Sequence, residues 1–318
     1  MEKRQLGNTD LHIYPVAFGG NIFGWTLEEK KSFEILNGFT EAGFNFIDTA
    51  DVYSRWALGN TGGESERIIG KWLKEKKNRH NIVLTTKVGS DMGDGKKGLK
   101  KQYILKAVEA SLQRLGTDYL DLYQTHFDDV ETPVEETLEA YAQLQKDGKI
   151  RWIGTSNMSP ERILASLEAS AAKGLPRYET LQPHYNLYAR EKYETQYESL
   201  ALENGLGVIT YFSLESGFLT GKYRTKDDLG KSPRGGDMDK YFDERGLKIL
   251  AALDEISNQY KATPAAVSLA WLIQRPSVTA PIVSATSKSQ LESIILAPEL
   301  NLDADAIRLL DKASAWQQ

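Results

Sequence analysis

Short runs of apolar and β-branched residues alternate along the chain with longer stretches whose apolar positions recur every three or four residues. The first pattern predicts strands buried on both faces, and the second predicts amphipathic helices. Strand-like runs fall at 16–18, 44–47, 82–86, 119–123, 150–153, 180–182, 207–211 and 278–283. Helical periodicity fills the spaces at 28–42, 63–76, 102–115, 134–146, 160–173 and 191–204, and later at 244–260, 264–274 and 288–296. Thr132-Pro133, Ser159-Pro160 and Thr263-Pro264 set a hydroxyl before a proline, the signature of a capped helix start. Gly148, Gly174 and Gly205 stand where helices should stop. Ahead of the first strand, Leu6-Gly7-Asn8-Thr9-Asp10-Leu11 reads as the turn of a small β-hairpin.

Strands that alternate with helices re-enter the sheet from the same end, so the sheet is parallel. With eight such units and no shift in composition along the chain, closure into a (β/α)8 TIM barrel fits better than an open sheet, as one α/β domain over 1–318. The one long aperiodic stretch, 222–241, contains Ser232-Pro233-Arg234-Gly235-Gly236 and follows the seventh strand. A loop of that length reads as a lid or a disordered segment.

Composition narrows the function classes. The chain is 41% apolar and 26% charged, which supports a sizeable core. Its net charge of −5 is dispersed and offers no basic stripe for nucleic acid. Cysteine is absent, which removes disulfides, thiol nucleophiles and iron–sulfur clusters and fits a reducing, cytoplasmic setting. The polar first residues do not read as a signal peptide. No apolar run approaches the roughly 20 residues of a membrane helix. The outer helices present no face that sets an oligomeric state.

In a barrel of this kind the site forms at the C-terminal ends of the strands. The second strand there ends in Ile47-Asp48-Thr49-Ala50-Asp51-Val52-Tyr53, the third in Thr85-Thr86-Lys87 and the fourth in Gln124-Thr125-His126. Three consecutive strands thus bring a carboxylate, a phenol, an ammonium and an imidazole to one rim. A lysine facing a barrel mouth needs a counter-ion, which Asp48 supplies. The ammonium in turn is expected to lower the Tyr53 phenol from its ordinary value near ~10 toward working pH. Tyr53 would then give its proton to a carbonyl oxygen, and His126 would hydrogen-bond that oxygen as charge develops. Trp25, Trp56 and Phe127 follow strands one, two and four and are expected to wall the substrate pocket.

The runs Phe46-Ile47-Asp48-Thr49-Ala50-Asp51-Val52-Tyr53, Thr86-Lys87-Val88-Gly89 and Gln124-Thr125-His126 resemble the aldo-keto reductases, whose tetrad is Asp, Tyr, Lys and His in this order. The resemblance covers essentially the whole chain and implies reduction of a small carbonyl substrate with a nicotinamide nucleotide. It implies carboxamide contacts from Ser156, Asn157 and Gln182 and a stacking ring from Tyr211. The loop 213–222, with Ser213, Leu214, Gly217 and Lys222, is similar to the one that covers the pyrophosphate. Ser284, Thr286, Ser287, Lys288 and Gln290 stand where the family holds the adenosine and its 2′-phosphate. Hydroxyls and Lys288 at a helix N-terminus suit a phosphate, which favours NADP(H). The arginine often found at the Gln290 position is absent, as is the acidic-then-Asn pair around Ser293 and Ile294, so NAD(H) stays open.

Other readings compete. A nucleotide-binding regulatory subunit with little turnover would keep the same fold. Lys87 could serve as a Schiff-base nucleophile, provided its pKa is depressed. Asp48, Asp51 and His126 could hold a metal, although no paired-histidine spacing occurs. Gly93-Asp94-Gly95-Lys96-Lys97-Gly98 matches a dinucleotide fingerprint, but a polar spacer separates it from the preceding strand and it reads as a loop. His184, past the sixth strand, reads as a hydrogen-bonded structural histidine.

Overall fold

A computed structural model describes residues 2–316. Eight parallel strands close into a barrel in the order β10-β3-β4-β5-β6-β7-β8-β9. The strands are β3 (Ala17–Gly19), β4 (Phe46–Asp48), β5 (Val83–Val88), β6 (Leu120–Thr125), β7 (Ile150–Ser156), β8 (Tyr178–Gln182), β9 (Gly207–Thr210) and β10 (Ala280–Val283). Helices α1 (Glu29–Glu41), α2 (Glu64–Lys76), α3 (Lys101–Leu115), α4 (Val134–Lys146) and α5 (Pro160–Lys173) separate the first strands. After β8 come α6 (Glu191–Gln196) and α7 (Glu198–Glu203), and after β9 come α8 (Glu244–Tyr260) and α9 (Pro264–Ile273). Following β10 are α10 (Lys288–Leu296) and α11 (Ala304–Ala313). The (β/α)8 barrel expected from the alternation is therefore present.

Local chemistry accounts for the element ends. The hydroxyls of Ser159 and Thr263 cap α5 and α9, accepting from the Arg162 and Ala266 amides. Thr132 does not act this way: Pro133 is the cap of α4, and the Thr132 hydroxyl donates to Asp129 instead. The helical stretch 191–204 is broken at Tyr197, whose backbone leaves the helix and whose hydroxyl reaches back to the Met158 carbonyl. The aperiodic 222–241 segment is folded into two short 3-10 turns, Lys226–Lys231 and Gly235–Tyr241.

The N-terminal hairpin, β1 (Arg4–Gln5) against β2 (His12–Ile13), lies across the bottom of the barrel. Its Leu6, Leu11 and Ile13 are fully or almost fully buried and form one apolar cluster with Ala17, Phe46, Val83, Leu122, Ile209 and Ala280 from six of the barrel strands. Gly7 makes the close approach feasible. It sits at φ +59, and a Cβ there would fall 2.1 Å from the Glu179 carbonyl oxygen.

Candidate active site

Strand register sets the rim. Asp48 pairs with Thr85, and Lys87 pairs with Gln124. Residues two apart on a strand share a face, so Thr85 and Lys87 point into the barrel together. The Lys87 ammonium is wholly buried and donates to Asp48 Oδ2 at 2.6 Å, to the Thr49 carbonyl at 2.8 Å and to the Tyr53 hydroxyl at 3.3 Å. The other oxygen of Asp48 accepts from the Gln182 amide at 3.0 Å and from the Gln124 amide at 3.4 Å. A buried charge pair of this kind holds only when its remaining lone pairs and protons are satisfied, and here four groups satisfy them.

His126, the residue after β6, presents its ring to Tyr53 edge-on with centroids 5.7 Å apart. Its Nδ1 lies 2.9 Å from the Ser90 hydroxyl, and its carbonyl accepts from the Asn157 amide at 3.0 Å. The second ring nitrogen has no protein partner among the described residues.

Electrostatics correct one expectation. The Tyr53 phenol is raised above its ordinary value of 10.0, because burial outweighs the attraction of Lys87 and Asp48 adds to the rise. The phenol is therefore held as a proton donor and is not poised to ionise. Lys87 is raised as well: Asp48 and Tyr53 together overcome the desolvation that opposes its charge. Burial, seconded by Lys87, pushes His126 well below 6.5, so its imidazole is neutral. These directions weigh against the alternatives. A charged, stabilised Lys87 is a poor amine nucleophile. Asp51 is buried and raised well above 3.8, mainly by desolvation and next by Glu66, which disfavours the anionic form a metal ligand needs. No cluster of three His, Cys, Asp or Glu among the described residues is arranged to hold a metal.

The remaining candidates stand at or after the C-terminal ends of the barrel strands. Asn157 bridges His126 and the nucleotide-side candidates, since Tyr211 donates its hydroxyl to Asn157 Oδ1 at 3.0 Å. The Ser156 hydroxyl donates to the Gln182 carbonyl. Ser213 is turned inward to Thr210. Leu214 begins a tight turn through Ser216 and Gly217, both in the left-handed region, and Lys222 lies over the Tyr223 ring. Ser284 donates to the Gly19 carbonyl. Ser287 caps α10 by accepting from the Gln290 amide, Gln290 Oε1 accepts from Thr286, and Lys288 is exposed in the first turn. Trp25, Trp56 and Phe127 gather at the tetrad: Trp56 meets Tyr53 at 5.5 Å and Trp25 at 5.9 Å, and Phe127 lies 5.0 Å from His126. His184 is anchored as expected, with Nε2 2.7 Å from Glu215, and its ring stacks on Tyr211 at 5.3 Å.

Two partners in this site escape a reading of the sequence. Ser90 is one serine in a polar loop, with nothing in its spacing to single it out. Gln124 lies in the His126 run, but only the register reveals that it reaches Asp48.

The sequence pattern of the Aldo/keto reductase family matches residues 15–315. The chain belongs to the aldo/keto reductase family. Within it, the chain is similar to an uncharacterized oxidoreductase, YrpG, of Bacillus subtilis: 32% identity over 98% of this chain and 95% of that protein. An aldo-keto reductase of Fusarium vanettenii is 31% identical over 99% of this chain and 91% of its own. A probable voltage-gated potassium channel subunit beta of Arabidopsis thaliana is 32% identical over 92% and 89%. As an aldo/keto reductase the chain is an oxidoreductase of small carbonyl compounds built around a nicotinamide nucleotide. No helix among the described residues is long and apolar enough to cross a membrane.

Proposed function

We propose that this aldo/keto reductase reduces an aldehyde or ketone to its alcohol with NADPH, with Tyr53 as the general acid. The observation that carries this reading is the Lys87 ammonium held between Asp48 and the Tyr53 hydroxyl. The nucleotide would supply the hydride. The side chains present suit it. The Tyr211 ring is half-buried at the mouth and tied to Asn157. The exposed first turn of α10 offers backbone amides and the Lys288 charge to a phosphate.

The roles of the protein groups follow from their geometry. Lys87 keeps the Tyr53 hydroxyl oriented and stabilises the phenolate left after the proton is given to the substrate oxygen. Asp48 holds Lys87 charged, and the Gln124 and Gln182 amides hold Asp48. The Ser90 hydroxyl lies against His126 Nδ1, and with Ser90 as the donor there the neutral imidazole would carry its proton on Nε2 and offer it to the same substrate oxygen. The Trp25, Trp56 and Phe127 rings keep water from the reacting carbon.

Titrating the protein with NADPH and with NADH while following tryptophan fluorescence, then adding small aldehydes, tests the reading. Tight NADPH binding with aldehyde-dependent oxidation of the nucleotide is expected. Binding without turnover across the aldehydes would favour a regulatory subunit, the role that the name of the Arabidopsis relative suggests. Lys288→Ala should weaken NADPH by about 5–10-fold and leave NADH nearly unchanged, since one charge-assisted contact is at stake. An equal effect on both nucleotides would place the 2′-phosphate elsewhere. Ser90→Ala should lower kcat/KM about tenfold while nucleotide affinity holds, the size expected for losing one orienting hydrogen bond. Unchanged kinetics would show that Ser90 does not set the His126 tautomer.

A further inference from the structure

His184 forms the back of the Tyr211 ring. The imidazole stacks on it with centroids 5.3 Å apart and planes 18° from parallel. Their backbones pair as well, and the Tyr211 amide donates to the Pro183 carbonyl at 2.9 Å. One face of the phenol ring is thus covered, its hydroxyl is tied to Asn157 Oδ1 at 3.0 Å, and only the opposite face remains for stacking. The imidazole is itself held. His184 Nε2 donates to Glu215 at 2.7 Å, and Asn186 and Tyr241 donate to the same buried carboxylate. Burial raises that carboxyl, but the donors, His184 first among them, more than offset it and hold Glu215 below its ordinary 4.5. Glu215 and Ser216 both take left-handed backbone, at φ +44 and +55. Residues with a side chain keep that conformation only where their surroundings impose it, and the three donors to Glu215 do so. Tyr241 ends the Gly235–Tyr241 turn, so contacts run from that turn through Glu215, His184 and Tyr211 to Asn157, which donates to the His126 carbonyl.

We propose that His184 is a positioning residue for hydride transfer: clamped by Glu215, it backs the Tyr211 ring and through that ring fixes the plane of the nicotinamide. The proposal rests on the reading of Tyr211 as the ring that stacks on the nicotinamide. His184 acts only through Tyr211, from the face turned away from the nucleotide. Hydride transfer needs the reacting carbons about 3–3.5 Å apart, and a misplacement of about 1 Å costs on the order of 100-fold. A Tyr211 ring free to tilt would lose that distance while the adenosine end of the nucleotide stays bound.

Single-turnover oxidation of NADPH by a small aldehyde, read beside the fluorescence anisotropy of the bound nicotinamide, tests the role. His184→Ala should slow hydride transfer about 10- to 100-fold. It should weaken NADPH only about two- to tenfold, the range of one lost aromatic contact. Binding of 2′,5′-ADP, which has no nicotinamide, should not change. His184→Phe keeps a ring behind Tyr211 and should restore most of the rate. His184→Gln keeps a donor toward Glu215 without a ring and should not. Wild-type hydride transfer in His184→Ala, or a His184→Gln rate that matches His184→Phe, would overturn the proposal. An equal loss of affinity for NADPH and 2′,5′-ADP would overturn it too, by marking a general disturbance of the loop. The anisotropy requires no turnover: it should fall in His184→Ala and return in His184→Phe. If no aldehyde is reduced and the anisotropy still follows the residue at 184, the reductase reading fails and the hold on the nicotinamide stands. An anisotropy indifferent to that residue refutes the hold even where aldehydes are reduced.

Discussion

Tyr53→Phe should bind NADPH as tightly as the wild type and reduce aldehydes about 10²–10⁴-fold more slowly, the span that a positioned general acid contributes. The substitution removes one hydroxyl and keeps the ring that meets Trp56 and His126. Lys87 loses only its longest contact, at 3.3 Å, and keeps Asp48 and the Thr49 carbonyl. Nucleotide titration beside steady-state kinetics separates binding from proton transfer, and a near-normal kcat would refute the mechanism. The wild-type pH profile carries a matching signature. Tyr53 titrates above 10.0 and His126 well below 6.5, so kcat/KM for reduction should stay flat between those values. The fall should come only above 10, as the phenol loses the proton it must donate. An inflection near neutrality would assign the acid to another group. His126 also couples pH to stability. Its folded pKa lies below the unfolded one, so the unfolded chain binds the extra proton in acid and stability falls as pH drops below 6.5.

Lys87→Met should be inactive and about 3–5 kcal/mol less stable, the usual loss when one member of a buried ion pair is removed. Lys87 is fully buried, and its removal leaves the Asp48 carboxylate with only the Gln124 and Gln182 amides. The double variant Asp48→Asn/Lys87→Met removes both charges. It should regain most of the lost stability in urea denaturation while remaining inactive. If the single variant is as stable as the wild type, the pair is not the electrostatic keystone described above. If the double variant recovers activity, neither charge serves the chemistry.

The barrel was readable because its strands are buried on both faces, which writes them as unbroken apolar runs such as those ending at Ile47 and Thr86. Asp48, Lys87 and His126 were readable because they stand at or beside the ends of such runs, and Tyr53 because it lies in the loop that follows β4. Helix α11 was legible and passed over: Asp303 caps it, and its apolar positions, Ala306 and Leu310 among them, recur at helical spacing on the buried face. What else escaped has tertiary causes. The break at Tyr197 is set by a hydroxyl that reaches Met158, 39 residues away in sequence. The direction of the Tyr53 shift was misjudged because a neighbouring charge can be read from sequence, whereas the depth of burial that outweighs it cannot.

The hairpin beneath the barrel bears on where protons come from. Leu6, Leu11 and Ile13 close the end of the barrel opposite the tetrad with packed apolar side chains. Each catalytic cycle spends the Tyr53 proton, and its replacement must arrive through the doorway that admits the substrate. With a substrate seated there, recharging waits for the product to leave. Turnover and reprotonation would then share one gate, and a proton inventory should find its slow exchange after the alcohol is released.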